Sequence, residues 1–410
     1  MLIDNTSIED LLSRAPVFRE WSTHFYWAPL ALDDRGGDGA LPTVYCRKVH
    51  YLHMNATLSH LITFPRLTSI DLVRVTVNAE GQCTIYSLPH LRSITLRVSQ
   101  FQSTTRQMPG HQVTHLRLFN IGSPFAFTHV LRQVAGSLTD LEVYSKDSGM
   151  FISDLVRCPL LRSITLEVGG QESIADTALQ FLDLHPEITD ITFNCNTFMR
   201  IPQSLLPNLR RVEGRIFPRS WLESRPIESF SHHVKECISW RVPFSPLWNN
   251  LECFRKAPRR NTVKELRVIF GYDRHALSWI STSVGKTLQY LQMWVEKNPS
   301  LPMYPTNPYD FLLGAWTVPD PASQEPPAFP RVKQVLLSFR RHDAHKFPLD
   351  TSQQVLDQVL LPICPVLEQV EFHAISSYEG IKREMPQVGW WVRYWKDALG
   401  HWNCRNYGAY

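Results

Sequence analysis

Few residues in this chain stand at spacings that could do chemistry. His111 and His115 have the four-residue step that aims two imidazoles at one zinc ion. The glutamate base that should occupy the second place of that motif is missing, and His115 falls inside an apolar repeat. The run Arg340-Arg341-His342-Asp343-Ala344-His345 reads as a solvated loop rather than a metal or phosphate site. Cys195, between Asn194 and Asn196, has no base beside it to activate a thiolate. No GxxxxGK[ST] or GxGxxG loop is present. The one glycine cluster, Gly36-Gly37-Asp38-Gly39, follows no strand and reads as a turn. There is no G-x-S-x-G elbow either. The expectation is a protein that is not an enzyme, with no catalytic residue, no metal and no cofactor. An alternative stays open: a site assembled from distant residues.

The elements that would have to position any site carry a stronger signal. Three apolar residues in the pattern L-x-x-L-x-L recur along the chain. They appear as Val49/Leu52/Met54, Leu67/Ile70/Leu72, Leu91/Ile94/Leu96, Val113/Leu116/Leu118, Leu138/Leu141/Val143, Leu161/Ile164/Leu166 and Ile188/Ile191/Phe193. A weaker copy at Leu209/Val212/Gly214 is followed by Val263/Leu266/Val268, Leu288/Leu291/Met293, Val332/Val335/Leu337 and Leu367/Val370/Phe372. From Leu67 to Leu209 the first positions are 21–27 residues apart, inside the ~20–29 residue period of leucine-rich repeats. The wording Leu-Arg-Ser-Ile-Thr-Leu occurs twice, at 91–96 and 161–166.

Alternation in x-L-x-L-x makes a short strand with one buried face. Stretches at 126–134, 151–156, 174–184, 276–284 and 352–361 have three- and four-residue apolar steps and predict helices. One strand and one helix cannot bury their own faces, so neighbours must stack. The predicted fold is α/β: an irregular leucine-rich-repeat solenoid, a horseshoe with parallel concave strands and a helical convex side.

Four regions depart from the repeat. Residues 1–44 form an N-terminal segment. The solenoid spans 45–389, with insertions at about 216–262, where Cys237/Trp240/Val242 is a doubtful copy, and at about 299–330, which is rich in proline. Residues 390–410 hold Trp390, Trp391, Tyr394, Trp395 and Trp402 and read as an aromatic cap. An enzyme would need a pocket at the two insertions.

Residues flanking the inner apolar positions project from the concave face. Arg97, Arg117, Phe119, Glu142, Tyr144, Glu167, Arg267, Tyr290 and Trp294 are therefore the expected partner-binding set. Arginine and aromatic side chains together are the composition of a protein-binding surface.

Composition sets the outer limits. In 410 residues, hydrophobic residues make up 43% and charged residues 20%, ordinary values for a folded chain. A formal charge of +4 is too mild to point to nucleic acid or an anionic membrane. No apolar run reaches the ~18 residues of a membrane span. Asp4, Glu9 and Asp10 replace the basic start of a secretory leader. Eight scattered cysteines with no CxxC pair then read as buried free thiols. The expected setting is cytoplasmic or nuclear.

From about residue 45 onward, LPHLRSITL, CPLLRSITLEV, FPRVKQVLLSF, CPVLEQVEF and the tryptophan-rich tail resemble the repeat region of fungal F-box proteins, particularly those of mushroom-forming fungi. That resemblance implies a substrate-recognition subunit of a cullin–RING ubiquitin ligase. Its partners would be a protein substrate, a Skp-type linker and the cullin complex. Residues 8–30 match the closing part of an F-box only, and its opening helix has no counterpart. Leu11, Leu12, Phe18 and Trp21 would then meet the linker. Otherwise Ile8, Leu11, Leu12 and Ala15 form a helix capping the first repeat, and the chain is a scaffold with no ligase role.

Overall fold

The computed structural model describes residues 25–26, 43–48, 68–73, 76–77, 79–97, 100–101, 112–120, 124–145, 156–168, 173–195, 202, 204–214, 217, 219–232, 245–256, 262–271, 276–296, 328–340, 349–375 and 388–408. Two compact units divide the chain, Met1–Asn208 and Leu209–Tyr410.

In the first unit β1 (Phe25–Tyr26) pairs antiparallel with β2 (Thr43–Lys48). From β2 onward the sheet is parallel and runs through β3 (Ser69–Val73), β5 (Ser93–Arg97), β7 (His115–Phe119), β8 (Asp140–Ser145), β9 (Ser163–Val168) and β10 (Asp190–Cys195). The short β4 (Thr76–Val77) and β6 (Gln100–Phe101) form a separate parallel pair. The register never slips: Ile70, Ile94, Leu116, Leu141, Ile164 and Ile191 align at the second position, and Leu72, Leu96, Leu118, Val143, Leu166 and Phe193 at the fourth. All are buried, each contributing about 1.5–3 kcal/mol of apolar transfer.

Helices close this core. Pro124–Val134 turns in Val130, Leu131 and Val134, and Ser173–Asp183 turns in Ala178, Phe181 and Leu182. A third, Ala79–Ser87, arises where the apolar steps predicted none. Of the predicted helix at 151–156, residues 151–155 lie outside the described residues.

The second unit repeats the plan. Parallel strands β11 (Arg211–Gly214), β12 (Ser229–His232), β13 (Glu265–Gly271), β14 (Tyr290–Glu296), β15 (Gln334–Arg340) and β16 (Gln369–Ile375) follow in order. Then β17 (Val388–Lys396) and β18 (Trp402–Gly408) reverse direction and extend the sheet as an antiparallel pair. Helices Arg219–Ser224, Ser245–Lys256 and Ala276–Val284 accompany the strands. The predicted helix at 352–361 is a helical run, Leu349–Val355 and Leu361–Ile363 flanking a π turn at Leu356–Leu360.

One hydrogen-bond device recurs at each repeat. The residue immediately before β3, β5 and most later parallel strands has a carbonyl oxygen that accepts two successive amides from the next repeat. Thr68 O takes Arg92 and Ser93, Arg92 O takes Thr114 and His115, and Thr114 O takes Thr139 and Asp140. The second unit does the same with Arg210, Glu228, Lys264, Gln289 and Lys333 as acceptors. Backbone groups at the strand entrances are thereby satisfied without side chains, leaving those positions free to vary.

Two repeats differ from expectation. The strand near the first copy is Thr43–Lys48, with Val44 and Cys46 in register with Ile70 and Leu72; the copy at 49–54 lies outside the described residues. The first insertion supplies β12, whose third repeat position is His232; Cys237/Trp240/Val242 lies outside the described residues, as do 299–327 of the second insertion. Among the described residues no helix is long and apolar enough to cross a membrane.

Candidate functional site

Alternation sends the third and fifth positions of each strand to the face opposite the helices. In the first unit this brings Asp71, Arg117 and Glu142 into one column and Arg97, Phe119 and Tyr144 into the next. They form a connected set. Arg97 Nε donates to both oxygens of Asp71, at 3.1 and 3.0 Å. The same guanidinium lies 4.2 Å from the centre of the Phe119 ring. Phe119 stacks on Tyr144 with centroids 4.3 Å apart and planes 2° from parallel. Adjacent strands are about 4.8 Å apart, so rings at one register position stand almost in van der Waals contact without distortion. Tyr144 donates its hydroxyl to Glu142 Oε2 at 3.1 Å, and Arg117 Nε bonds Glu142 Oε1 at 2.9 Å.

The carboxylates are more buried than their arginines: Asp71 is 10% exposed against 42% for Arg97, and Glu142 27% against 39% for Arg117. Each acid is the anchored partner and each guanidinium the reachable one. At the first position His115 Nε2 lies 3.3 Å from Asp140 Oδ2 while Nδ1 is 2.7 Å from Thr114 Oγ1. His115 is thus a surface strand residue; His111 lies outside the described residues.

In the second unit Arg267 is exposed and holds its guanidinium 5.6 Å from the centre of the half-buried Tyr290 ring. Tyr290 in turn donates to Gln292 Oε1 at 3.3 Å, and burial raises its phenol pKa. Trp294 does not face water: it is 2% exposed. Its register neighbour Ser338 is fully buried as well. Alternation decides which side of the sheet a residue leaves from, not whether that side is open at that strand.

A cluster absent from the predicted set occupies β16 and β17. Glu371 accepts from Gln369 Nε2 at 2.7 Å and from His373 Nε2 at 2.8 Å. Arg393 Nε lies 3.6 Å from it and donates through a second nitrogen to Gln369 Oε1. Burial pushes the Glu371 carboxyl up, but the hydrogen bond and charge of His373, with the charge of Arg393, outweigh it and leave the pKa below the usual range. His373 meets Trp391 edge-on at 5.8 Å. The signal that could have found it was Gln-x-Glu-x-His at alternate positions of the last parallel strand.

The structure thus joins Arg97, Arg117, Phe119, Glu142 and Tyr144 in one row, and Arg267 with Tyr290 in another. Glu167 is in register with Tyr144 on β9, and its side chain lies outside the described residues, as does that of Cys195. Leu11, Leu12, Phe18, Trp21 and the residues from 341 to 345 lie outside them altogether. Chemically, the joined rows pair charges and stack rings. Among the described residues no group of three His, Cys, Asp or Glu is placed to hold a metal ion.

Fold and rows define an α/β protein built from one parallel strand per repeat, with arginine and aromatic side chains on the face away from the helices. No protein-family model and no curated protein sequence matches the chain.

Proposed function

We propose that this chain is a leucine-rich-repeat interaction module that holds a protein partner on the outward face of its strands. The row Asp71–Arg97–Phe119–Tyr144–Glu142–Arg117 carries the reading. The buried Asp71 and the less exposed Glu142 pre-position half-exposed arginines and rings, so little side-chain freedom remains to be lost on binding. Arginine and tyrosine on such a frame are the residues that dominate protein interfaces. The repeat period and the one-strand, two-amide connection support the repeat class. The resemblance to fungal F-box proteins makes the most concrete role recruitment of a substrate for ubiquitination, in the cytoplasm or nucleus, with Leu11, Leu12, Phe18 and Trp21 meeting a Skp-type linker.

Calorimetry of the full chain against a fungal Skp-type linker tests that role. Binding that Leu11→Asp/Trp21→Ala abolishes is the expected result. An intact chain that does not bind the linker removes the ligase role and leaves a scaffold. The row itself is tested by Phe119→Ala/Tyr144→Ala in whichever complex forms.

A further inference from the structure

The outward arginines are not equivalent. Arg97 is neutralised by Asp71, Arg117 by Glu142, and Arg393 lies against Glu371. Arg267 has no carboxylate partner among the described residues, and its only ring contact there is Tyr290. The nearest acid on its own strand, Glu265, accepts instead from Ser229 Oγ on β12 at 3.1 Å. A solvated arginine alone would mean little, but its register neighbours on both sides are donors. On β12 Ser231 aligns with Arg267, and on β14 Gln292 does. Ser231 is 5% exposed, and its hydroxyl makes no hydrogen bond among the described residues. Buried hydroxyls without partners are rare and mark places where an acceptor is missing. Gln292 spends its carbonyl on Tyr290, which leaves its amide hydrogens to donate.

We propose that Arg267, with Ser231 and Gln292 on the flanking strands, is a seat for a side-chain carboxylate of an acidic partner peptide. This rests on reading the outward face as partner-binding and names the chemistry of one position on it. One guanidinium supplies one positive charge in a planar fork, the match for a carboxylate. The hydroxyl and the amide donate to the lone pairs that the fork leaves over. Glu265, held by Ser229, and Glu371, held by Gln369 and His373, leave the guanidinium to the ligand. The Tyr290 ring borders the fork, its centre 5.6 Å away.

The test is fluorescence anisotropy of the full-length chain with labelled hexaglutamate, and hexaglutamine as the neutral control. Hexaglutamate binds and hexaglutamine does not, with affinity falling as salt rises. Arg267→Gln weakens binding about tenfold, the order of one charge-assisted pair. Arg267→Lys is intermediate because it keeps the charge and loses the fork. Ser231→Ala weakens binding by about two- to fivefold, one neutral hydrogen bond. Lys256→Gln, which removes one exposed positive charge from helix Ser245–Lys256, leaves it unchanged, so a loss of net charge alone does not account for the effect of Arg267→Gln.

Three results overturn the proposal: no binding of hexaglutamate by the wild-type chain, equal binding by Arg267→Gln, or displacement by inorganic phosphate where equal acetate has no effect. The last would reassign the seat to a phosphate group. None of the three bears on the row or on linker binding.

Discussion

The backbone N–H of Cys158 donates to Nε2 of His185, 27 residues later, at 2.8 Å. The other ring nitrogen, Nδ1, donates to Phe181 O at 2.7 Å. His185 is fully buried, so these two bonds define a neutral imidazole with its proton on Nδ1. It joins the end of helix Ser173–Asp183 to the Cys158-Pro159 turn that opens the preceding strand. Burial lowers the His185 pKa; the Phe181 carbonyl and Glu187 offset part of that, and Arg157 adds to it.

Acid should therefore weaken the fold through this residue. The unfolded chain takes up the proton near pH 6.5 while the folded chain still resists it, so stability falls as pH drops below that value and levels off below the folded pKa. His129 is shifted in the same direction, by burial and Arg132, and adds to the slope. Circular dichroism melts at pH 7.5 and about 5.5 measure it. His185→Gln should flatten the dependence without removing it, and an unchanged slope would show that His185 is not the titrating group. His185→Ala should cost about 1–3 kcal/mol for the orphaned Cys158 amide, before any cavity cost.

Replacing Arg97 by alanine strands Asp71, which is 10% exposed, without its cation. The arginine is 42% exposed and solvent screens much of the pair, so the expected loss is about 1–2 kcal/mol rather than the value for a buried bridge. Arg97→Lys should recover little, because a lysine lacks the planar group that spans both oxygens and covers Phe119. Asp71→Asn/Arg97→Gln should lose less than the two single changes together. Urea midpoints of the four proteins decide this.

Two glycines follow helix ends, Gly136 two residues after Val134 and Gly285 directly after Val284, and they should respond differently. A Cβ on Gly285 would run into Ala328 O and sit 2.5 Å from Ser281 O, both backbone atoms that cannot swing aside. A Cβ on Gly136 meets nothing within 4 Å. Gly285→Ala should destabilise by about 1–3 kcal/mol or more, while Gly136→Ala should stay within about 0.5 kcal/mol. Equal melting temperatures for the two variants would contradict the close approach at Gly285.

Thiol labelling should follow burial. Burial pushes the Cys158 thiol up to about 12, with the charge of Glu187 adding, and burial alone takes Cys364 to about 12. Both are 0–1% exposed, whereas Cys404 on β18 is exposed. Iodoacetamide at pH 8 followed by mass spectrometry should modify Cys404 in the native chain, and Cys158 and Cys364 only in denaturant. Native modification of Cys364 ahead of Cys404 would mean that the last repeat opens more readily than its packing implies.

The inner positions were legible because each strand repeats one local rule. Ile94 and Leu96, or Val335 and Leu337, declare a buried face within six residues. β12 escaped that rule because His232 stands where an apolar residue is expected, yet its chain neighbours Ile227 and Phe230 are buried. The antiparallel β17 and β18 read only as an aromatic tail, since strand direction depends on which edge is available for pairing. The Glu371 cluster was missed because its arginine comes from the next strand, 22 residues away.

By itself the sequence determined which residues go inside: alternation and a period of 21–27 residues settle that locally. It also placed most of the outward residues, since the opposite face follows from the same alternation. Only the tertiary structure decided their partners. Asp71 meets Arg97 across 26 residues, and Phe119 lies flat on Tyr144, because parallel strands at one register bring equal positions within a strand spacing of each other. It also decided that Trp294 is buried and Arg267 is not. Exposure depends on what packs over a strand, and that is a property of the assembled repeats rather than of any one of them.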